Sequence, residues 1–129
     1  MIYVDSSVFL AQLLAEARRP DPSFWRQESI ISSRLLEYES WTKINSLGLA
    51  RSHGDDARAL FRGISLLELT PPILARALDP FPAPVRTLDA LHLASIEFLR
   101  GIGQRPTLAT YDRRLSGAAA SLSIATVEP

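Results

Sequence analysis

The stretch Ile2-Tyr3-Val4-Asp5-Ser6-Ser7-Val8-Phe9-Leu10-Ala11-Gln12-Leu13-Leu14 decides the fold. Ile2 to Val4 is a short β-prone run, and Val8, Phe9, Leu10, Leu13 and Leu14 recur at helical spacing. The segment reads as strand, tight turn and helix, with an acid at the end of the strand. Similar units recur along the chain. Ile30-Ile31 is a minimal strand, after which Ser32 or Ser33 caps a helix carrying Leu35, Leu36, Trp41, Ile44, Leu47 and Leu49. Ile64 to Leu69 is another strand, and Pro71-Pro72 opens a helix through Leu74 and Leu78. Thr107-Leu108-Ala109-Thr110 is strand-like, Asp112 begins a last helix, and Ser123 to Val127 makes a final strand.

Breaks punctuate these units. Pro20-Asp21-Pro22-Ser23 ends the first helix, and Ser23 caps a short helix through Phe24 and Trp25. His53-Gly54-Asp55 reads as a second break, with Asp55 capping a helix through Ala57, Leu60 and Phe61. Asp79-Pro80-Phe81-Pro82-Ala83-Pro84 is a connector that cannot be helical. Thr87 then caps a strong helix through Leu88, Leu91, Ser95, Phe98 and Leu99, stopped by Gly101. Strands alternating with helices imply right-handed crossovers and a mainly parallel central sheet flanked by helices on both sides. The expectation is an α/β fold in a single domain over residues 1–129, since 129 residues suffice for one core and not for two.

Composition narrows the function. The chain has no cysteine, which excludes disulfides, thiol nucleophiles and thiolate metal sites. Its two histidines, His53 and His92, lack zinc-ligand spacing, and a lone helical histidine such as His92 reads as a half-buried side chain. No basic segment followed by a long apolar stretch opens the sequence, and no apolar run reaches ~18 residues. An intracellular, cytoplasmic protein without a membrane span is expected. Fourteen basic residues balance fourteen acidic ones, which argues against coating nucleic acid by bulk charge. A local basic rim remains compatible: Lys43 is the only lysine, and the other cations are arginines suited to bidentate phosphate contact.

Four acids stand out: Asp5, Glu39, Asp89 and Asp112. Asp5 and Asp112 follow strand-like runs, and open α/β sheets bind ligands beyond the carboxyl ends of their strands. Each also suits the N-cap of the helix that follows it. Asp89 lies just inside a helix among apolar neighbours, where either the helix dipole or a function would retain it. Glu39 sits four residues before Lys43, the spacing of a surface ion pair, and Glu37 competes for its role. Ser6 and Ser7 have no base within sequence reach, so a supporting hydroxyl suits them better than a nucleophile. If the fold gathers the four acids, no lysine neutralises them, and a divalent cation with oxygen ligands, magnesium or manganese, is the natural counter-charge.

Taken together, Tyr-Val-Asp-Ser-Ser (3–7), Ser-Ser-Arg-Leu-Leu-Glu-Tyr-Glu (32–39), Arg-Thr-Leu-Asp-Ala-Leu-His-Leu-Ala (86–94) and Thr-Tyr-Asp-Arg-Arg-Leu (110–115) resemble the PIN-domain family over essentially the whole chain. Within that family, the resemblance is to VapC-type toxins of prokaryotic toxin–antitoxin pairs. It implies an endoribonuclease that holds Mg2+, with Mn2+ able to substitute, in an acidic pocket and hydrolyses RNA phosphodiesters. By carry-over, Asp5, Glu39, Asp89 and Asp112 are the acidic set, Asp5 and Asp89 ligate directly, and Ser6 and Thr110 are supporting hydroxyls. Whether one or two metals bind, and whether Glu37 replaces Glu39, stay open. Arg86 and Arg113, with Arg114 as an alternative to the latter, would grip phosphates. The resemblance also implies a homodimer and a VapB-like antitoxin that blocks the pocket, with Phe24, Trp25 and Trp41 as anchors if they are exposed.

Two other readings fit parts of the pattern. A magnesium-dependent phosphatase with an aspartyl nucleophile would use Asp5, but it wants a second acid two residues on, where Ser7 stands. A catalytically silent PIN-like module that only binds RNA or a partner would not need the full acidic set.

Overall fold

The computed structural model describes all residues, Met1–Pro129. Five strands form one sheet: β1 (Ile2–Val4), β2 (Ile30–Ser33), β3 (Ser65–Leu67), β4 (Thr107–Ala109) and β5 (Thr126–Val127). Their order is β3-β2-β1-β4-β5, and every neighbouring pair is parallel. The helices are α1 (Ser6–Leu13), α2 (Leu35–Ser46), α3 (Ala50–Phe61), α4 (Pro71–Leu78), α5 (Thr87–Gly101) and α6 (Arg113–Ser121), with a 3-10 turn at Pro22–Arg26. None is long and apolar enough to cross a membrane.

Strand alternation splits the core into two layers. Val4 and Ala109 face one side and pack with Val8 and Phe9 of α1, Leu36 and Ile44 of α2 and Ala57 of α3. Tyr3 and Leu108 face the other side and pack with Leu93, Ile96 and Leu99 of α5 and Leu115, Ala118 and Ala119 of α6. The strand order reverses between β1 and β4. From β1 the chain winds outward through β2 to β3, then returns through α4 and α5 to β4. Such a switch point opens a crevice at the carboxyl ends of the two central strands.

The boundaries depart from the sequence reading in several places. Asp21, not Ser23, caps the 3-10 turn, accepting from the Ser23 amide at 2.9 Å. Thr87 is the first residue of α5 rather than its cap, and the left-handed residue beyond α5 is Gly103, not Gly101. Leu47 and Leu49 lie beyond α2, at its C-cap and at the N-cap of α3. The two outer strands are shorter than their apolar runs. The expected break at His53-Gly54-Asp55 is absent, because α3 runs straight through it. Gly54 is buried there, where α3 crosses α2: an added Cβ would lie 3.3 Å from Arg58 Nη1 and 3.6 Å from the Trp41 ring.

Phe24 joins the core, Trp25 donates to Gln12 at 2.9 Å, and half-buried Trp41 lies beneath Arg58, so these aromatics serve the fold rather than an exposed anchor surface. Gly54 offers a test of this packing. Alanine gains about 1 kcal/mol over glycine in a helix. The only tight neighbour is the tip of the Arg58 side chain, which is 59% exposed and held only by a surface ion pair to Asp55 and by the Trp41 ring. Gly54→Ala is therefore expected to stabilise the fold by about 0.5 kcal/mol in urea denaturation, after allowing for a weakened Arg58–Trp41 contact. A loss of stability would mean that contact outweighs the helix propensity.

Candidate active site

The crevice is built from backbone upward. Val4 pairs with Ala109, so the chain leaves β1 and β4 side by side. Asp5 follows β1 at the N-cap of α1, and its Oδ1 accepts from the Val8 amide at 3.2 Å and the Ser7 hydroxyl at 2.6 Å. Its Oδ2 accepts from the Thr110 hydroxyl, which leaves β4, at 2.6 Å. The two hydroxyls are held in turn: Ser7 Oγ accepts from the Tyr111 amide and Thr110 Oγ1 from the Asp112 amide, each at 2.9 Å. Each hydroxyl thus receives a backbone proton and passes its own to Asp5.

Thr110 therefore lies where the sequence suggested, but the serine in this network is Ser7 rather than Ser6. Ser7, at the second position of α1, reaches back to the cap and across to the β4 exit. Ser6 makes no side-chain hydrogen bond and lines a separate groove beside Glu39.

The remaining acids arrive from three helices. Asp112 caps α6, its Oδ1 accepting from the Arg114 amide at 2.9 Å and the Leu115 amide at 3.3 Å. Asp89 stands half-buried in the first turn of α5, with no hydrogen bond or ion pair to the protein. Glu39 projects from α2 to His92 Nε2, 2.5 Å away, instead of pairing with Lys43. Glu37 is held by Arg34 at 2.5 Å, and Arg34 also binds Glu68 at 2.8 Å. Of the two glutamates, Glu39 is the one directed toward α5.

Electrostatics couple the set. Burial pushes the Asp5 carboxyl above its ordinary range, against the lowering effect of the Ser7 and Thr110 hydroxyls. Asp89 is also raised, first by burial and then by the charges of Asp112, Glu39 and Asp5, with His92 acting in the opposite sense. His92 is fully buried, and burial alone would discharge it; the Tyr3 oxygen and the Glu39 carboxylate outweigh this and push it up to about 10. No role for His92 is legible in the sequence because neither partner is near it in the chain.

The donor set suits a hard cation. A carboxylate offers about four acceptor positions. Asp5 uses three of them, Asp112 two, Glu39 one and Asp89 none. No three of these groups stand close enough to enclose an ion by themselves. Magnesium commonly binds through one or two carboxylates and keeps its remaining waters, so the arrangement fits it and does not form a protein-only cage. Beside Asp89, a cleft of ≈ 450 Å³ is lined by Arg86, Arg113 and Arg114, none of which has an ion-pair partner.

These shifts carry a sign. A carboxyl raised in the folded state contributes stability below the unfolded value of 3.8, and that contribution is lost as pH rises through its folded value. At neutral pH, Asp5 and Asp89 therefore oppose folding until a cation neutralises them. Mn2+ is expected to raise the melting temperature at pH 7.5, and by less as pH falls and protons compete for the same oxygens. Asp89→Asn should raise the melting temperature of the metal-free protein and shrink the Mn2+ increment. Calorimetric melts across pH would check both, and an Mn2+ increment that grows on acidification would overturn the assignment.

Comparison with known proteins agrees with this architecture. The family model described as PIN domain matches residues 2–120. Ribonuclease VapC47 of Mycobacterium tuberculosis (strain CDC 1551 / Oshkosh) is 28% identical over 135 residues, covering 100% of this chain and 97% of that protein. Ribonuclease VapC35 of the same strain is 29% identical over 143 residues, with the same coverage. Among solved structures, Mycobacterium tuberculosis VapC20, described as a Sarcin-Ricin loop cleaving toxin, superposes with a TM-score of 0.66 at 20% identity, covering 92% of this chain and 95% of that one. With a five-stranded parallel sheet and a family match over nearly its entire length, the chain belongs to the PIN domain family.

Proposed function

We propose that this protein is a metal-dependent endoribonuclease of the VapC type, a toxin restrained by a cognate antitoxin. The observation that carries the reading is Asp89: a raised, partner-free carboxyl in the field of three other acids beside the switch point. Such a group wants a cation, and arginines without partners line the cleft next to it. The relatives named ribonucleases match along the whole chain, which supports RNA as the substrate.

Asp5 and Asp89 would hold Mg2+, or Mn2+ in its place, with Glu39 and Asp112 acting through water or completing a second site. The ion would supply a nucleophile at neutral pH and polarise a phosphoryl oxygen. Thr110 and Ser7 keep the Asp5 carboxylate oriented and ionised against its burial. Arg86 and Arg113 grip phosphates beside the bond being cut, fixing register rather than reading bases. A chain of zero net charge gains little affinity from bulk attraction, which favours recognition of an RNA loop by shape and stacking.

The protein works in the cytoplasm as a homodimer. A VapB-like antitoxin would lie in the groove between Leu10, Leu35, Tyr38 and Leu88, which opens on Glu39, and direct a basic side chain at the acids.

The decisive assay is cleavage of total RNA by the partner-free protein with Mg2+, with Mn2+ and with chelator. Discrete, metal-dependent fragments are expected, and Asp89→Asn should lower their rate of formation by more than about 100-fold, as loss of a directly ligating group does. Arg113→Ala should weaken RNA binding and flatten its salt dependence without altering which bonds are cut. Equal, weak degradation by wild type and Asp89→Asn would instead favour a silent binding module.

A further inference from the structure

Two buried ionisable side chains, His92 and Tyr3, lie outside the acidic set and the arginine rim. His92, on α5, is 1% exposed and bonded at both ring nitrogens. Nδ1 lies 2.8 Å from the Tyr3 hydroxyl oxygen, and Nε2 lies 2.5 Å from Glu39 Oε1. Tyr3 is itself fully buried in β1, and the two rings meet edge to face with centroids 5.7 Å apart. The imidazole cannot turn without breaking one of these bonds.

Glu39 is in a different position. It sits on the rim of an open groove, and Lys43 does not pair with it. Its charge adds to the repulsion felt by Asp89, so without an anchor its flexible side chain would be driven toward solvent. His92 is the only group that bonds it. The bond uses Oε1 and leaves Oε2 without a protein partner. The chain of contacts also crosses the sheet: Tyr3 and His92 belong to the layer of α5 and α6, whereas α2 packs in the opposite layer.

We propose that His92, braced by Tyr3, is a positioning residue that fixes Glu39 Oε1 and thereby presents Oε2 to the acidic pocket. The inference rests on the reading of that pocket as the metal site of a nuclease. It assigns His92 no contact with metal or RNA. Groups that orient metal-binding side chains in this way are worth about 10–100-fold in metal affinity or activity.

The test uses the full chain with His92→Leu, His92→Gln and Tyr3→Phe, each followed by Mn2+ titration calorimetry, RNA cleavage and thermal melting without metal. His92→Leu should weaken Mn2+ binding or cleavage by about 10-fold or more. His92→Gln, which keeps a donor for Glu39, should recover most of the loss even if its metal-free melting temperature matches that of His92→Leu. Tyr3→Phe keeps the packed ring and removes only the brace. It should reproduce part of the loss, and it carries the test if His92→Leu does not fold. In a Glu39→Ala background, His92→Leu should cost little more, because both changes remove one interaction.

Mn2+ affinity and cleavage near wild type in both His92→Leu and Tyr3→Phe would overturn the positioning role alone. So would losses that track the melting temperature with no rescue by glutamine, or that add fully to Glu39→Ala. A wild-type chain that neither binds Mn2+ nor cuts RNA would overturn the nuclease reading and the positioning role with it.

Discussion

The pairing of β1 with β4 is the constraint on which the rest depends. Their three-residue register sets Val4 against Ala109, and the two chain exits then lie within hydrogen-bond reach. Asp5 and Thr110, 105 residues apart in sequence, can meet only because of that register. The alternation of Tyr3 and Val4, and of Leu108 and Ala109, assigns the helices to their layers at the same time. A one-residue slip would exchange both layers and turn Asp5 away from Thr110. Core packing and site assembly are therefore specified by one ladder.

Around that ladder, several acids do two things. Asp5 and Asp112 close the first turns of α1 and α6, a structural role that their N-cap positions favour. The same side chains contribute to a field that a folded protein without a counter-ion bears at a cost. Asp89 makes no structural contact that would offset its burial and its neighbours. On the proposed reading, that unfavourable field is what a bound cation would offset.

Much of this was legible in the sequence, and the reasons differ by residue. The strand–turn–helix units show because apolar spacing is local, and the acids show because they interrupt apolar patterns. The family likeness then joined signals that were weak one at a time. What stayed hidden was decided by distant partners. Ser6 and Ser7 are equivalent on paper, and only the β4 exit selects Ser7. Glu37 and Glu39 are separated by Arg34, which captures the first, and by His92, 53 residues away, which captures the second. Gly54 read as a break because glycine disfavours helices, yet α3 runs through it, carried by packing against α2 that the local sequence does not show. His92 read as an idle side chain, since nothing near it in sequence announces Tyr3 or Glu39.

The way Asp112 caps its helix bears on how such a protein ages. One oxygen takes both backbone bonds, so asparagine, an equally good N-cap, could keep them while removing the charge. A single base change converts an aspartate codon to an asparagine codon. The fold can thus survive the loss of that charge, which on the proposed reading is the loss of a residue of the acidic set. A silenced copy would keep its shape and much of its surface, and would go on competing with active copies for whatever those surfaces bind. In a lineage carrying many related chains, inactivation need not lead to disappearance: it can leave behind a decoy.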